Sequence, residues 1–97
     1  MKGMVEVKIE SIRVSLMSQY RVVTLKDMAS NRYLPIWIGP YEADAITIHL
    51  QEVQVPRPLT HDLIVKVIEE LEAKVDRVYV SDLNNDTFYA RIVLKVK

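Results

Sequence analysis

The chain has 97 residues, enough for one domain and one modest core. Thirteen basic residues balance thirteen acidic ones, which argues against tight general binding to duplex nucleic acid and leaves only contact through a local patch. With no cysteine, no membrane-length apolar run and no signal-peptide pattern, a cytoplasmic protein without disulfides, thiolate metal sites or a membrane partner is expected.

"MVEVKIESIRVSL" alternates apolar and polar residues, the period of a strand. Val5, Val7 and Ile9 share one parity, whereas Ile12, Val14 and Leu16 have the other. A strand that keeps one buried face cannot change parity without an irregularity, so a bulge or bend is expected near Glu10-Ser11. A short turn at Met17-Ser18 leads to a second strand, "QYRVVTLKD", and "ASN" at 29–31 turns the chain into a third, "RYLPIWIG". Pro35 cannot donate to a ladder, which places this strand at an edge or turns its nitrogen outward. Three strands joined by short turns make an antiparallel meander.

Gly39-Pro40 closes the third strand and opens a helix, Pro being suited to the first turn. From Tyr41 to Val53 the stripe is Ala43, Ile46, Leu50 and Val53, widened by Ala45 and Ile48. "QVPRPL" is a stiff connector. A second helix follows, with Leu63, Ile64, Val67, Ile68 and Leu71 on its apolar face. Asp62–Lys66 and Lys66–Glu70 form i,i+4 pairs worth ~0.3 kcal/mol each. "VDRVYVSDL" and "TFYARIVLKVK" are two more strands around the turn "NND". In the last of them Phe88, Ala90, Ile92, Leu94 and Val96 line one face. The order βββααββ, with strands and helices grouped, gives an α+β class: a mostly antiparallel sheet with two helices packed on it, in a single domain over 1–97.

The chemistry-bearing residues cluster in "RPLTHDL". Thr60 is suited to cap the second helix, and Asp62 in its first turn complements the helix dipole. On that reading His61 is a surface residue. On the functional reading His61 and Asp62 face a cleft, where the helix N-terminus favours a neutral imidazole able to act as a base or a metal ligand. Glu42 and His49 lie on one face of the first helix, ~10 Å apart by helix rise, too far to share one metal. Glu42 is otherwise a first-turn acid, and His49, among apolar neighbours, is expected to be partly buried. Arg32 and Arg57 flank the candidate acids and suit bidentate contact with phosphate. Tyr33 and Trp37 share the side of the third strand opposite Leu34, Ile36 and Ile38. A second subunit is the simplest cover for them, and an aromatic platform for stacked bases is the sharper alternative.

"GMVEVKIESI", "LPIWIGPYEADAI", "RPLTHDL" and "FYARIVL", in that order and spacing, resemble the bifunctional nuclease domain family from Gly3 to about Val96. The resemblance implies an α+β domain that self-associates as a dimer or higher homo-oligomer and that hydrolyses DNA and RNA. The positions matching its polar motif are Glu42, Arg57, Thr60, His61 and Asp62. The family pattern continues past the last strand into a segment resembling "DARPSDALALA", and this chain stops at Lys97.

Two functions follow. In the first the chain is a metal-assisted nuclease acting on single-stranded nucleic acid. His61, Asp62 and Glu42 are then catalytic, Asp62 and Glu42 hold Mg²⁺ or Mn²⁺, and Arg57 and Arg32 bind the substrate phosphate. In the second it is a non-catalytic homo-oligomeric interaction or regulatory module, with "RPLTHDL" serving as connector and helix start.

Overall fold

The computed structural model describes residues 3–14 and 20–97. The elements run β1 (Val7–Val14), β2 (Arg21–Asp27), β3 (Tyr33–Ile38), α1 (Pro40–Leu50), α2 (Thr60–Glu70), β4 (Ala73–Asn84) and β5 (Thr87–Val96). The order and the α+β class match the sequence expectation. The strands form two antiparallel sheets, however, β1-β2-β3 and β4-β5, where one was expected. The turn expected at Met17-Ser18 lies outside the described residues. The chain forms two compact units, Met1–Gln54 and Val55–Lys97.

In the first unit the expected bulge is present. Ile9 pairs with Leu25 and Ser11 with Thr24, which leaves Glu10 as the extra residue. The irregularity keeps Val7, Ile9, Ile12 and Val14 on one face although their sequence parity changes. Register then puts Leu25 and Val23 of β2, and Leu34, Ile36 and Ile38 of β3, on that same face. Val23, at the centre of the middle strand, is buried. The other face carries Lys8, Ser11 and Arg13, then Val22, Thr24 and Lys26, then Tyr33, Pro35 and Trp37. Pro35 sits on β3, an edge strand, where its missing N–H breaks no ladder.

Helix α1 starts with Pro40 at its first position after an extended Gly39, and contacts β2. Its covered side is narrower than the expected stripe. Ala43 and Ala45 are buried, Ile46 and Ile48 are half-buried, and Leu50 is exposed. Small side chains at the covered positions let the helix approach closely. Val53 lies beyond the helix, in its C-terminal lock. The Val53 N–H donates to Ile48 O at 3.1 Å and the Glu52 N–H to His49 O at 3.2 Å, a Schellman motif. Its left-handed residue is Glu52, φ 55, where glycine is usual.

The β2–β3 turn is organised by Asp27, the one buried charged residue among those described. Oδ1 accepts from the Ala29 N–H at 2.8 Å, while Oδ2 accepts from the Ser30 hydroxyl at 2.9 Å and from Arg32 Nε and Nη2 at 3.1 and 2.8 Å. The Ala29 amide first, then Arg32 and Ser30, lower the Asp27 pKa from 3.8 to about 2.

In the second unit β4 and β5 form a hairpin whose two-residue loop, Asn85-Asp86, has φ of 51 and 61 at its central positions, the type I′ signature. β4 carries two irregularities, between Val75 and Arg77 and between Val80 and Asp82, so Asp76 and Ser81 are extra to the ladder. Each restores the pairing of apolar residues with apolar residues. Val75, Val78, Val80 and Leu83 stand opposite Leu94, Ile92, Ala90 and Phe88. One side of the hairpin is therefore apolar from end to end. Helix α2 contacts β4. On its expected apolar face only Ile68 is half-buried, while Leu63, Ile64, Val67 and Leu71 are exposed. No described residue of this unit is buried.

Candidate functional site

The helix start at the heart of the "RPLTHDL" motif differs from its sequence reading. Thr60 is the first helical residue, and Leu59, with extended backbone, holds the cap position. The Leu59 carbonyl accepts the first intrahelical bond, from the Leu63 N–H at 3.0 Å. A leucine side chain has no acceptor, so the capping is done from inside the helix. Asp62, at the third helical position, accepts the Leu59 N–H on Oδ2 at 2.8 Å. This is the reciprocal half of a capping box, and it places a carboxylate at the positive end of the helix dipole. The cap expected at Thr60 is corrected accordingly: Thr60 is exposed and Asp62 does the work.

His61, beside it in the first turn, is exposed. Arg57 is also exposed, between Pro56 and Pro58 in a stretch without regular structure. Arg57 and His61 are four positions apart, so their Cα atoms are within roughly 14 Å by chain reach. The second unit thus keeps a guanidinium and an imidazole at one end of α2.

The remaining candidates belong to the first unit. Glu42 is exposed in the first turn of α1, and its carboxylate folds back over Gly39, where a Cβ would collide with its Oε2. Glycine at 39 therefore makes room for that carboxylate. Arg32 is held by Asp27 through Nε and Nη2, although its side chain is 74% exposed. This engagement orders the β2–β3 turn and restricts Arg32 as a phosphate ligand. His49, expected to be partly buried, is exposed in the last turn of α1.

Among the described residues no group of three His, Asp or Glu side chains is assembled to hold a metal ion, and Asp62 Oδ2 is engaged by the helix start. These residues do not fit a ready-made metal centre. Among the described residues no helix is long and apolar enough to cross a membrane. Sequence reading passed over Asp27, whose signal is the turn-forming pattern Asp-x-x-Ser-x-Arg. It also passed over the grouping of Lys8, Arg13 and Lys26 on one sheet face, which appears only once the bulge fixes the register.

Two uncharacterized proteins of Mycobacterium tuberculosis, from two strains, are each 44% identical to this chain over 88 residues. The aligned stretch is 91% of this chain and 54% of theirs, so the chain spans about half the length of those relatives. The bifunctional nuclease domain family matches residues 23–97, a span that includes Glu42, Arg57 and the whole start of α2. On that match the chain belongs to the bifunctional nuclease domain family.

Proposed function

We propose that the chain hydrolyses phosphodiester bonds of DNA and RNA, with His61 transferring the proton and Arg57 holding the phosphate. The observation that carries this reading is the family match over 23–97, which includes both residues. The local geometry supports it. His61 stands in the first turn of α2, where the backbone N–H groups of the helix start and the helix dipole favour an anionic ligand. In the reaction a water oxygen bonds to phosphorus as the P–O ester bond breaks. His61 takes the water's proton, and the leaving alkoxide is protonated in turn. Arg57 offsets the negative charge that builds on the phosphoryl oxygens. Asp62 holds the first turn in place and so orients His61.

No step of this reaction runs through a metal, since Asp62 Oδ2 is engaged by the Leu59 N–H at 2.8 Å and no metal-holding group is assembled among the described residues. The test is cleavage of labelled single-stranded DNA and RNA with Mg²⁺, Mn²⁺ or EDTA, by the chain and by its His61→Ala, Arg57→Ala and Glu42→Gln variants. His61→Ala is expected to lower the rate by roughly 10²–10⁴-fold, the usual contribution of a proton-transfer group. Cleavage that His61→Ala leaves intact would refute the assignment.

A second reading, a cytoplasmic homo-oligomeric module without catalysis, is favoured by one observation. The hairpin's apolar side stays exposed, with Val78 at 60%, Ile92 at 57% and Val96 at 69%. A two-stranded hairpin is marginal on its own, and a second copy would supply the missing cover. Sedimentation equilibrium decides it. A monomer at micromolar concentration excludes this reading.

A further inference from the structure

Resting on the nucleic-acid reading above, we propose that the outer face of the β1-β2-β3 sheet docks single-stranded nucleic acid, with bases stacked on Tyr33 and Trp37 and phosphates along Lys8, Lys26 and Arg13. Register places these residues in two rows across the sheet. Lys8 pairs with Lys26 and Lys26 with Tyr33, while Arg13 pairs with Val22 and Val22 with Trp37. Each row runs from a cation on β1 to an aromatic ring on the edge strand β3. The row between them holds small side chains and no charge.

The rings are open, Tyr33 at 52% and Trp37 at 63% exposure. They lie about 13 Å apart by strand rise, so each takes its own base. Among the described residues none of the three cations is paired with an acid. Glu6 and Glu10 flank Lys8 two positions away on β1, and neither forms an ion pair with it among the described residues. Asp27, next to Lys26 on β2, pairs with Val7 on the opposite face of the sheet and is neutralised by Arg32.

Charge complementarity selects the occupant. Cations in line beside exposed flat rings suit a polyanion whose bases are unstacked and turned outward, as in a single strand. A duplex keeps its bases stacked inside and cannot use the rings. The zero net charge of the chain makes this a local binding face rather than a general attraction to polyanions.

The chain holds a single tryptophan, so its emission reports on Trp37 alone. Short oligothymidylate and oligouridylate strands are titrated into the chain in EDTA, with emission and the anisotropy of labelled strands followed together. Saturating quenching by single strands is expected, with a weaker response to a duplex of equal length. Trp37→Ala is expected to weaken binding roughly 5- to 100-fold, and Trp37→Phe to retain most of it, which separates stacking from misfolding. With three phosphate contacts the slope of log affinity against log salt is about −2, and Lys26→Ala lowers its magnitude by about 0.7.

Strands that bind without changing Trp37 emission, or that bind Trp37→Ala as tightly as the parent, overturn the proposal. So does a stable dimer whose Trp37 is shielded and unresponsive to strand. A chain that quenches but never cleaves refutes the nuclease reading and leaves this face standing. Cleavage with unchanged emission does the reverse.

Discussion

Replacing Asp62 tests whether this residue belongs to the chemistry or to the helix. Its Oδ2 accepts the Leu59 N–H at 2.8 Å, and the cap residue provides no acceptor of its own. A hydrogen bond to a charged group is worth about 1.5–3 kcal/mol, and a first-turn acid adds about 0.3–1 kcal/mol through the dipole. Both figures shrink here because Asp62 is only half-buried and water can take over the Leu59 amide. The expected cost of Asp62→Ala is therefore ~1–2 kcal/mol, within the range of other cap removals. Asp62→Asn keeps an acceptor and loses the charge, and is expected to cost ~0.5 kcal/mol.

The assay is amide hydrogen exchange. In Asp62→Ala the amides of Leu59 and of α2 are expected to exchange roughly 5- to 30-fold faster, and those of β2 at the parent rate. Cleavage is measured on the same samples. If Asp62 only orients His61, Asp62→Asn keeps most of the activity that His61→Ala removes. Unchanged exchange at Leu59 in Asp62→Ala would refute the capping argument. Loss of cleavage in Asp62→Asn with parent-like exchange would assign the carboxylate to the reaction itself.

The Asp27 carboxyl, lowered from 3.8 to about 2, stabilises the native state fully above pH ~4, and that contribution is lost as pH falls through the folded value near 2. An NMR titration of its side-chain carbonyl carbon checks this, and a midpoint near 3.8 would contradict it. Glu52 and Glu72, with φ of 55 and 60, occupy the left-handed positions that end α1 and α2. Glycine at either is expected to raise stability by ~0.5–1 kcal/mol in urea unfolding, since the Cβ penalty goes while the carbonyl locks stay. Ala43, 1% exposed on the side of α1 that is covered, leaves no space for growth, so Ala43→Leu is expected to cost ~1–3 kcal/mol by the same measurement. Ser11 Oγ is buried without a hydrogen-bond partner, and Ser11→Ala is expected to leave stability unchanged or to raise it by up to ~1 kcal/mol.

Legibility followed how local each signal is. The β1 bulge could be read because Val5-Val7-Ile9 and Ile12-Val14 differ in parity within one strand. The β3 edge followed from the missing donor of Pro35. The two bulges of β4 were hidden, since Val75, Val78, Val80 and Leu83 have spacings that fit neither a strand nor a helix cleanly. Only pairing against the strict alternation from Phe88 to Val96 makes sense of them. The helix start was misassigned by one residue because Thr60 is a good cap by type, whereas an acid two positions later can serve the cap amide from within. By residue type Arg32 suits a phosphate clamp, and its partner Asp27, five residues earlier, meets it only after the turn closes. The apolar faces of α2 and the hairpin show what ought to be covered, and periodicity contains no information on what covers it.

The bulge at Glu10 allows register to be separated from composition by deletion. Glu10 is extra to the β1–β2 ladder: Ser11 pairs with Thr24 and Ile9 with Leu25. Deleting Glu10 therefore leaves a regular strand in which Ile9 still faces the core side and Lys8 the outer side. Deleting Arg13, a paired residue, shifts everything on one side of the gap to the opposite face. Val7, Ile9 and Ile12 would then leave the apolar side and Lys8 would enter it. Those three side chains are partly exposed already, so the burial lost is a fraction of the usual 1.5–3 kcal/mol each, roughly 3–5 kcal/mol together with the misplaced lysine. Urea unfolding is expected to place the Glu10 deletion close to the parent and the Arg13 deletion at or below the threshold of folding. Equal damage from both deletions would mean that Glu10 is not spare, that the faces assigned to β1 are wrong, and that the cation rows built on them fall as well.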